Sequence, residues 1–435
     1  MVNINITIEK LINKFNSKDK KRLLSNFISL SILQGANYIL PLITLPYLVR
    51  VLEPEKYGLI AFASSFIGYF HVLTDYGFNL SATREISINR EDVSKVSEIF
   101  SSVIIIKSLL FILSLVIMSI IVFSFEKFRM DWIIYYMTFG TILGQVLFPV
   151  WFFQGMERMK YITFLNITSK LISTVAIFVF IHKTSDYIYV PLINSLGYIL
   201  SGVFALLIVF RDFEIKFIIP HFKSLKHQLK EGWYIFISTV AISLYTISNT
   251  FILGLLTNNT IVGYYAAAEK IIKAVQGLIG PVSQTIYPYI SKLVIESKEN
   301  SVKFIRKMTF LIGYIGFMIS CILFLLASFI VNILLGKEYM PSILVLRILA
   351  FLPFIIALSN IFGIQTMLNF NYKKAFSRIL IGASIINIVL SFALIPFYKE
   401  IGTSIAVLIS EIFVTTSMFF YLQSKGIRIL EGKIV

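Results

Sequence analysis

Cysteine is almost absent from this chain: Cys321 is the single one in 435 residues, so neither a disulfide framework nor a paired-thiol motif can form. Histidine is nearly as scarce. His71, His182, His221 and His227 show no metal-ligand spacing, and no cofactor or metal is expected. The chain also lacks a GxxxxGK[ST] phosphate loop, an HExxH and a GxSxG, which leaves no nucleotide engine and no hydrolytic constellation of those kinds. Charge is sparse at 14% of residues, and the longest polar connection, 211–230, is too short to fold alone. No soluble domain is expected. Whatever this chain does, it does in or at a membrane, and transport outranks membrane-embedded chemistry.

What is abundant is apolar: hydrophobic residues make up 57% of the sequence, and the mean hydropathy is +0.83. No water-soluble domain sustains such values over this length. About a dozen stretches are long enough to span a bilayer, near 25–48, 57–83, 97–124, 131–153, 160–181, 187–210, 231–256, 261–290, 306–333, 341–368, 373–396 and 401–422. They are continuous and read as helices, since barrel strands would alternate in runs of about ten residues.

The 39 basic residues are sorted by gap. The N-terminal arm, the gaps after every even-numbered stretch and the C-terminal tail hold 27, the gaps after the odd-numbered stretches hold 7, and five lie within the stretches. Short basic loops stay cytoplasmic, so both termini are expected inside. The net charge of +16 is spread over those loops and tails, which fits topology and anionic headgroups rather than nucleic acid. Residues 1–22 show no removable signal peptide. Within them Ile8, Leu11, Ile12 and Phe15 recur at helical spacing, as in a helix lying on the inner membrane surface.

The body is doubled. A shift of 205 residues lays Tyr57 to Ala63 on Val262 to Ala268, and a shift of 211 lays Gln154, Met156 and Tyr161 on Gln365, Met367 and Tyr372. That offset carries stretch one onto stretch seven, and an even number of helices per half makes the repeats parallel. The expected fold is an all-α polytopic membrane protein of twelve transmembrane helices in two six-helix bundles around a central cationic cavity. Its parts are an interfacial segment at 1–24, bundles at 25–210 and 231–422, a cytoplasmic linker at 211–230 and a tail at 423–435.

Three segments then carry a resemblance: EPEKYGLIAFASSF from Glu53 to Phe66, DYGFNLSATREIS from Asp75 to Ser87, and WFFQGMERMKYI from Trp151 to Ile162. They resemble the Wzx-type flippases of the multidrug/oligosaccharidyl-lipid/polysaccharide exporter superfamily. The resemblance implies transfer of undecaprenyl-pyrophosphate-linked oligosaccharide repeat units, of O-antigen or capsule, across the bacterial inner membrane by alternating access. It implies membrane lipids as partners, with a polysaccharide polymerase and chain-length machinery as further candidates. The twelve-stretch count departs from the lipid II flippases of the same superfamily, which carry two further helices.

An ionised side chain at the bilayer centre costs about 2.5–3.5 kcal/mol on insertion scales, so charge there needs a cavity, a partner or a function. The candidates are Lys107, Lys170, Lys270, Lys273 and Arg347 against Asp75, Glu269 and Glu411. Steps of three or four place Ser64, Gly68, His71, Asp75 and Asn79 on one stripe, and Glu269, Lys273 and Gln276 on another. Further stripes hold Asn37 and Pro41; Asn166, Lys170 and Ser173; Ser384, Asn387 and Ser391; and Ser404, Glu411 and Thr415. Such stripes are expected to line water. Each has a bland counterpart: Glu269 and Lys273 neutralise each other, Lys107 and Arg347 snorkel to headgroups, and Ser, Thr and Asn bridge helices. Arg84 is divided between topology and contact with an entering pyrophosphate.

Substrate contact is expected from Lys107, Lys170, Lys270, Lys273, Arg347, Arg84, Gln276 and Asn37, and ion coupling from Asp75, Glu269, Glu411 and His71. A cation-coupled multidrug exporter of the same superfamily and a membrane-embedded glycosyltransferase or ligase are the alternatives. The first would want unpaired acids in the cavity, and the second a large outward loop with acidic or histidine catalysts.

Overall fold

The computed structural model describes residues 17–277 and 279–434. The amphipathic run of Ile8, Leu11, Ile12 and Phe15 lies outside the described residues. Those described are almost all helical. The tail adds a hairpin of two-residue strands, Ile427–Arg428 with Lys433–Ile434.

Eight helical stretches among the described residues are long and apolar enough to cross a membrane, so the chain is a polytopic membrane protein. Two of them, Ser31–Ile88 and Lys373–Ser424, run to 58 and 52 residues, more than twice the roughly 20 a crossing needs. Both break where an outer loop was expected. Glu53 takes φ 59°, ψ 169° just before Pro54, whose ring disfavours a helical residue ahead of it. Lys399 takes φ 49°, ψ −125° three residues after Pro396. The segments are accordingly α1 (17–52), α2 (54–88), α3 (Val93–Ser124), α4 (Trp132–Gly155), α5 (Met159–Phe180), α6 (Tyr189–Asp212), α7 (222–256), α8 (259–276 and 279–296), α9 (Lys298–Leu325), α10 (Ser342–Leu368), α11 (373–398) and α12 (400–424). Neither α7 nor α8 is among the eight. The first opens on Lys223, Lys226, Lys230 and Glu231, and the second carries Glu269, Lys270 and Lys273. Leu109, Ile112, Leu113, Val116 and Ile120 give α3 an exposed apolar stripe of the kind that faces lipid.

The linker expected over 211–230 is helical from Phe222 onward, because Leu225 and Leu229 pack against the apolar core of the first half. Ahead of it the chain is held along α3, where the amides of Lys216 and Ile218 donate to the hydroxyls of Ser97 and Ser101 at 3.2 and 3.0 Å. Glu85 in α2 accepts from His227 Nε2 at 2.8 Å and from Gln228 Nε2 at 2.5 Å. The ring of Tyr76 stacks on Phe236 at 4.8 Å. Gly77, with φ 79°, allows the step in α2 that makes this packing possible.

The two halves meet along α1, α2 and the first part of α8. At one end the contact is backbone on backbone. A Cβ on Gly58 would strike the Asn259 carbonyl and the Gly263 amide, and a Cβ on Gly263 would strike the Pro54 backbone. The contact is reciprocal, because the 205-residue shift carries Pro54 onto Asn259 and Gly58 onto Gly263. Positions 205 residues apart therefore touch reciprocally. Cationic side chains of the first half brace the same end. Arg50 donates to the Ile333 carbonyl, and Lys127 donates to the carbonyls of Gly254, Leu255 and Thr257, where α7 ends and its dipole favours a cation.

We predict that Gly58→Leu and Gly263→Leu each cost at least the about 1–3 kcal/mol of an overpacked core, because the struck atoms are backbone and cannot swing aside. Thermal unfolding in detergent checks this against Gly35→Leu, where nothing lies within 4 Å of a built Cβ. A midpoint for either variant equal to that control would contradict the contact.

Candidate functional site: a cationic cavity between the halves

A cavity of about 870 Å³ opens between the halves. Its walls come from α1, α2, α4, α5 and α6 of the first half, and from residues 246–250 of α7 and 266–273 of α8. No residue of α9 to α12 lines it. The second half has an apolar core of its own that includes Ile361, Phe362, Met367, Val414 and Met418.

Of the expected substrate residues, Asn37, Lys170, Lys270 and Lys273 line the cavity, as do Glu269 and His71 from the ion-coupling set. Lys170 Nζ donates to Asn37 Oδ1 at 2.7 Å, which joins α5 to α1. Lys170 also lies near enough to Lys270, on the opposite half, to feel its charge. Lys273 pairs with Glu269 at 2.9 Å one helical turn away, with its side chain still 54% exposed to the cavity. Among the described residues no carboxylate lies within ion-pair distance of Lys170 or Lys270, and Glu269 is the single acidic residue in the wall. The arrangement can hold an anion between two halves of the protein.

Lys107, Asp75, Arg347, Arg84, Gln276 and Glu411 do not line the cavity. Lys107 is 1% exposed and pairs with Asp75 at 3.5 Å, while Asp75 Oδ1 also accepts from Asn79 Nδ2 at 2.8 Å. The α2 stripe thus leaves the cavity after His71 and turns into the bundle toward α3. Arg347 reaches Ser328 Oγ at 3.4 Å and lies over the Phe324 ring at 5.8 Å. Arg84 is exposed at the far end of α2. The α11 stripe is buried within the second half, with Asn387 and Ser391 both at 0% exposure, and Ser404 and Thr415 of α12 are buried as well. These stripes do not line this cavity, because the faces they share are buried within the second half.

The sequence reading passed over Thr138, Thr141 and Gln145 of α4 and Asn194 and Tyr198 of α6, all in the wall. Their steps of three and four carried the same stripe signal as α2. Gln145 Oε1 lies 2.5 Å from His71 Nδ1, and Thr141 Oγ1 lies 2.9 Å from His71 Nε2.

Comparison with known proteins follows the same lines. Residues 23–294 match the family model described as polysaccharide biosynthesis protein. A provisionally named O-antigen transporter of Escherichia coli (strain K12) is 37% identical over 94% of this chain and 99% of that protein. The chain belongs to this family, as a Wzx-type member of the multidrug/oligosaccharidyl-lipid/polysaccharide exporter superfamily. A second provisionally named O-antigen transporter, from Shigella dysenteriae, is 29% identical over 90% of this chain and 98% of that protein. In fold the chain is similar to the lipid II flippase MurJ in an inward closed conformation, with a TM-score of 0.70 at 16% identity over 92% of this chain and 87% of that one. It is also similar to an inward-facing multidrug resistance MATE family transporter, with a TM-score of 0.67 at 14% identity over 94% of this chain and 100% of that one.

The Lys107 and Asp75 pair yields a prediction. Asp75→Asn leaves a buried ammonium without its counter-charge and should cost about 3–5 kcal/mol, whereas Asp75→Asn with Lys107→Met removes both charges and recovers most of the loss. Thermal midpoints of the three proteins decide it. A double variant no more stable than Asp75→Asn alone would remove the ion pair as the cause.

Proposed function

We propose that this chain is a flippase, a carrier and not an enzyme. Its cargo is an oligosaccharide repeat unit linked through pyrophosphate to undecaprenol, moved from the cytoplasmic to the periplasmic leaflet of the bacterial inner membrane by alternating access. One observation carries the reading. Lys170 of one half and Lys270 and Lys273 of the other face one cavity whose single carboxylate, among the described residues, is Glu269. The names of the relatives, O-antigen transporter among them, support the same cargo class.

The physics of the cargo asks for such a cavity. Each sugar hydroxyl costs several kcal/mol to bury in hydrocarbon without a partner, so the head cannot cross lipid unaided while the polyprenyl tail stays in the bilayer. Ammonium groups would hold the pyrophosphate by charge-assisted hydrogen bonds. Moving two negative charges out of a negative interior gains about 4–5 kcal/mol per 100 mV, so the membrane potential alone can drive the step. A cationic drug finds less here, because the wall's carboxylate is already answered by Lys273 at 2.9 Å.

In this reading α1 to α12 each cross the membrane, as two parallel six-helix bundles over 25–210 and 231–422 with both termini cytoplasmic. The reciprocal contact of Gly58 and Gly263 supports the doubling. With that end outermost, the structure is sealed toward the periplasm. A polysaccharide polymerase and chain-length machinery would receive the cargo outside.

Lys170→Glu should lower glycan export at least tenfold at matched abundance in a deletion strain, with lipid-linked glycan accumulating on the inner leaflet, because reversed charge repels a pyrophosphate. Normal export would remove Lys170 from the pathway. For topology, a periplasm-active reporter fused after Val435 should stay silent, and high activity would overturn the orientation.

A further inference from the structure

The cations gather where α1, α5 and α8 meet, but the cavity extends beyond them to a second wall built by α2, α4 and α6. That wall has no lysine, arginine, aspartate or glutamate. It carries amides, hydroxyls and a phenol instead. Lys107, the nearest ammonium behind it, is 1% exposed and committed to Asp75 at 3.5 Å.

The polar groups of this wall are held in place. The Thr141 hydroxyl donates to the Thr138 carbonyl at 2.7 Å, which leaves its oxygen to accept from His71 Nε2 at 2.9 Å. His71 Nδ1 meets the Gln145 side-chain amide at 2.5 Å, so the ring fixes that amide in the wall and leaves part of its hydrogen-bonding capacity for the cavity. Asn194 and Tyr198, one turn apart on α6, line the same wall and make no hydrogen bond to the protein among the described residues. An amide and a phenol set into a largely membrane-embedded wall, with their hydrogen-bonding capacity unspent, are placed for a ligand rather than for the fold.

We propose that Gln145, Asn194 and Tyr198 form a subsite for a neutral sugar of the cargo, separate from the lysines that take its pyrophosphate, with His71 as the residue that positions Gln145. The inference rests on the reading of the cavity as a lipid-linked glycan site. The class of sugar follows from the chemistry of the wall. Hydroxyl and acetamido groups find amide and phenol partners there, whereas the carboxylate of a uronic acid would meet no lysine or arginine in this wall. Sites that hydrogen-bond a hydroxyl discriminate strongly against ligands that lack it, because their own groups are then stranded.

Binding of synthetic probes to the purified full chain tests this. The probes are farnesyl diphosphate, the same lipid diphosphate bearing a neutral N-acetylglucosamine disaccharide, and one bearing a disaccharide that ends in glucuronic acid. For the unaltered protein the neutral disaccharide should raise affinity at least tenfold over farnesyl diphosphate, and the uronic acid probe should bind more weakly than the neutral one. Gln145→Ala and Asn194→Ala, taken separately and checked for unchanged thermal midpoints, should lose most of the sugar increment and keep the affinity for farnesyl diphosphate. Lys270→Ala with Lys273→Ala should lose affinity for all three. A full sugar increment in both single variants, or none in the unaltered protein, overturns the subsite. Indifference of farnesyl diphosphate to the lysines, with the sugar increment still lost in Gln145→Ala, would sink the pyrophosphate reading and leave the subsite standing.

Discussion

An ammonium or guanidinium group at the depth of a hydrocarbon layer has to be met by a counter-charge, a dipole or water, and that requirement sorts the basic residues within the helices of this chain. Lys107 is met by Asp75 and disappears into the first bundle. Arg347 is met by a hydroxyl and an aromatic face. Lys273 is met by Glu269, while Lys170 has, among the described residues, the Asn37 amide. Lys270 looks into the cavity with no carboxylate at ion-pair distance among the described residues. The cavity is thus the place where positive charge is left over, and an anion is what completes it.

In the proposed doubled architecture this asymmetry falls on one pair of helices. The 205-residue shift that brings Gly58 against Gly263 also carries Ser64, Ser65 and Gly68 onto Glu269, Lys270 and Lys273. All six of the latter positions line the cavity. The α2 positions hold small and hydroxyl-bearing residues on that face, and the α8 positions present charge. The close glycine contact, by contrast, works only if both copies stay small, since either Cβ would strike backbone.

The helices and the stripe of α2 as far as His71 were legible in the sequence because hydrophobic length and three-to-four spacing report directly on a helix in a membrane. The lysines were legible for the same reason: charge in an apolar run is conspicuous. Spacing says which residues share a face and not what that face meets, which is why Asn387, Ser391 and Ser404 read as water-lining and are in fact buried among helices. Asp75 continues the stripe of His71 by one turn, yet the helix has by then turned toward α3 and Lys107. Gln145 and Asn194 escaped notice because uncharged amides in spans are common, and only the enclosing walls single them out.

Reconstitution measures the central claim most directly. Purified protein in liposomes loaded on one leaflet with undecaprenyl-pyrophosphate-linked oligosaccharide, read by an impermeant glycan-cleaving enzyme under an imposed membrane potential, reports transfer between leaflets. The account predicts protein-dependent transfer that accelerates as the glycan-receiving side is made more positive and that Lys170→Glu largely abolishes. Transfer no faster than in protein-free liposomes, or fast transfer indifferent to both the potential and the lysine, would contradict it.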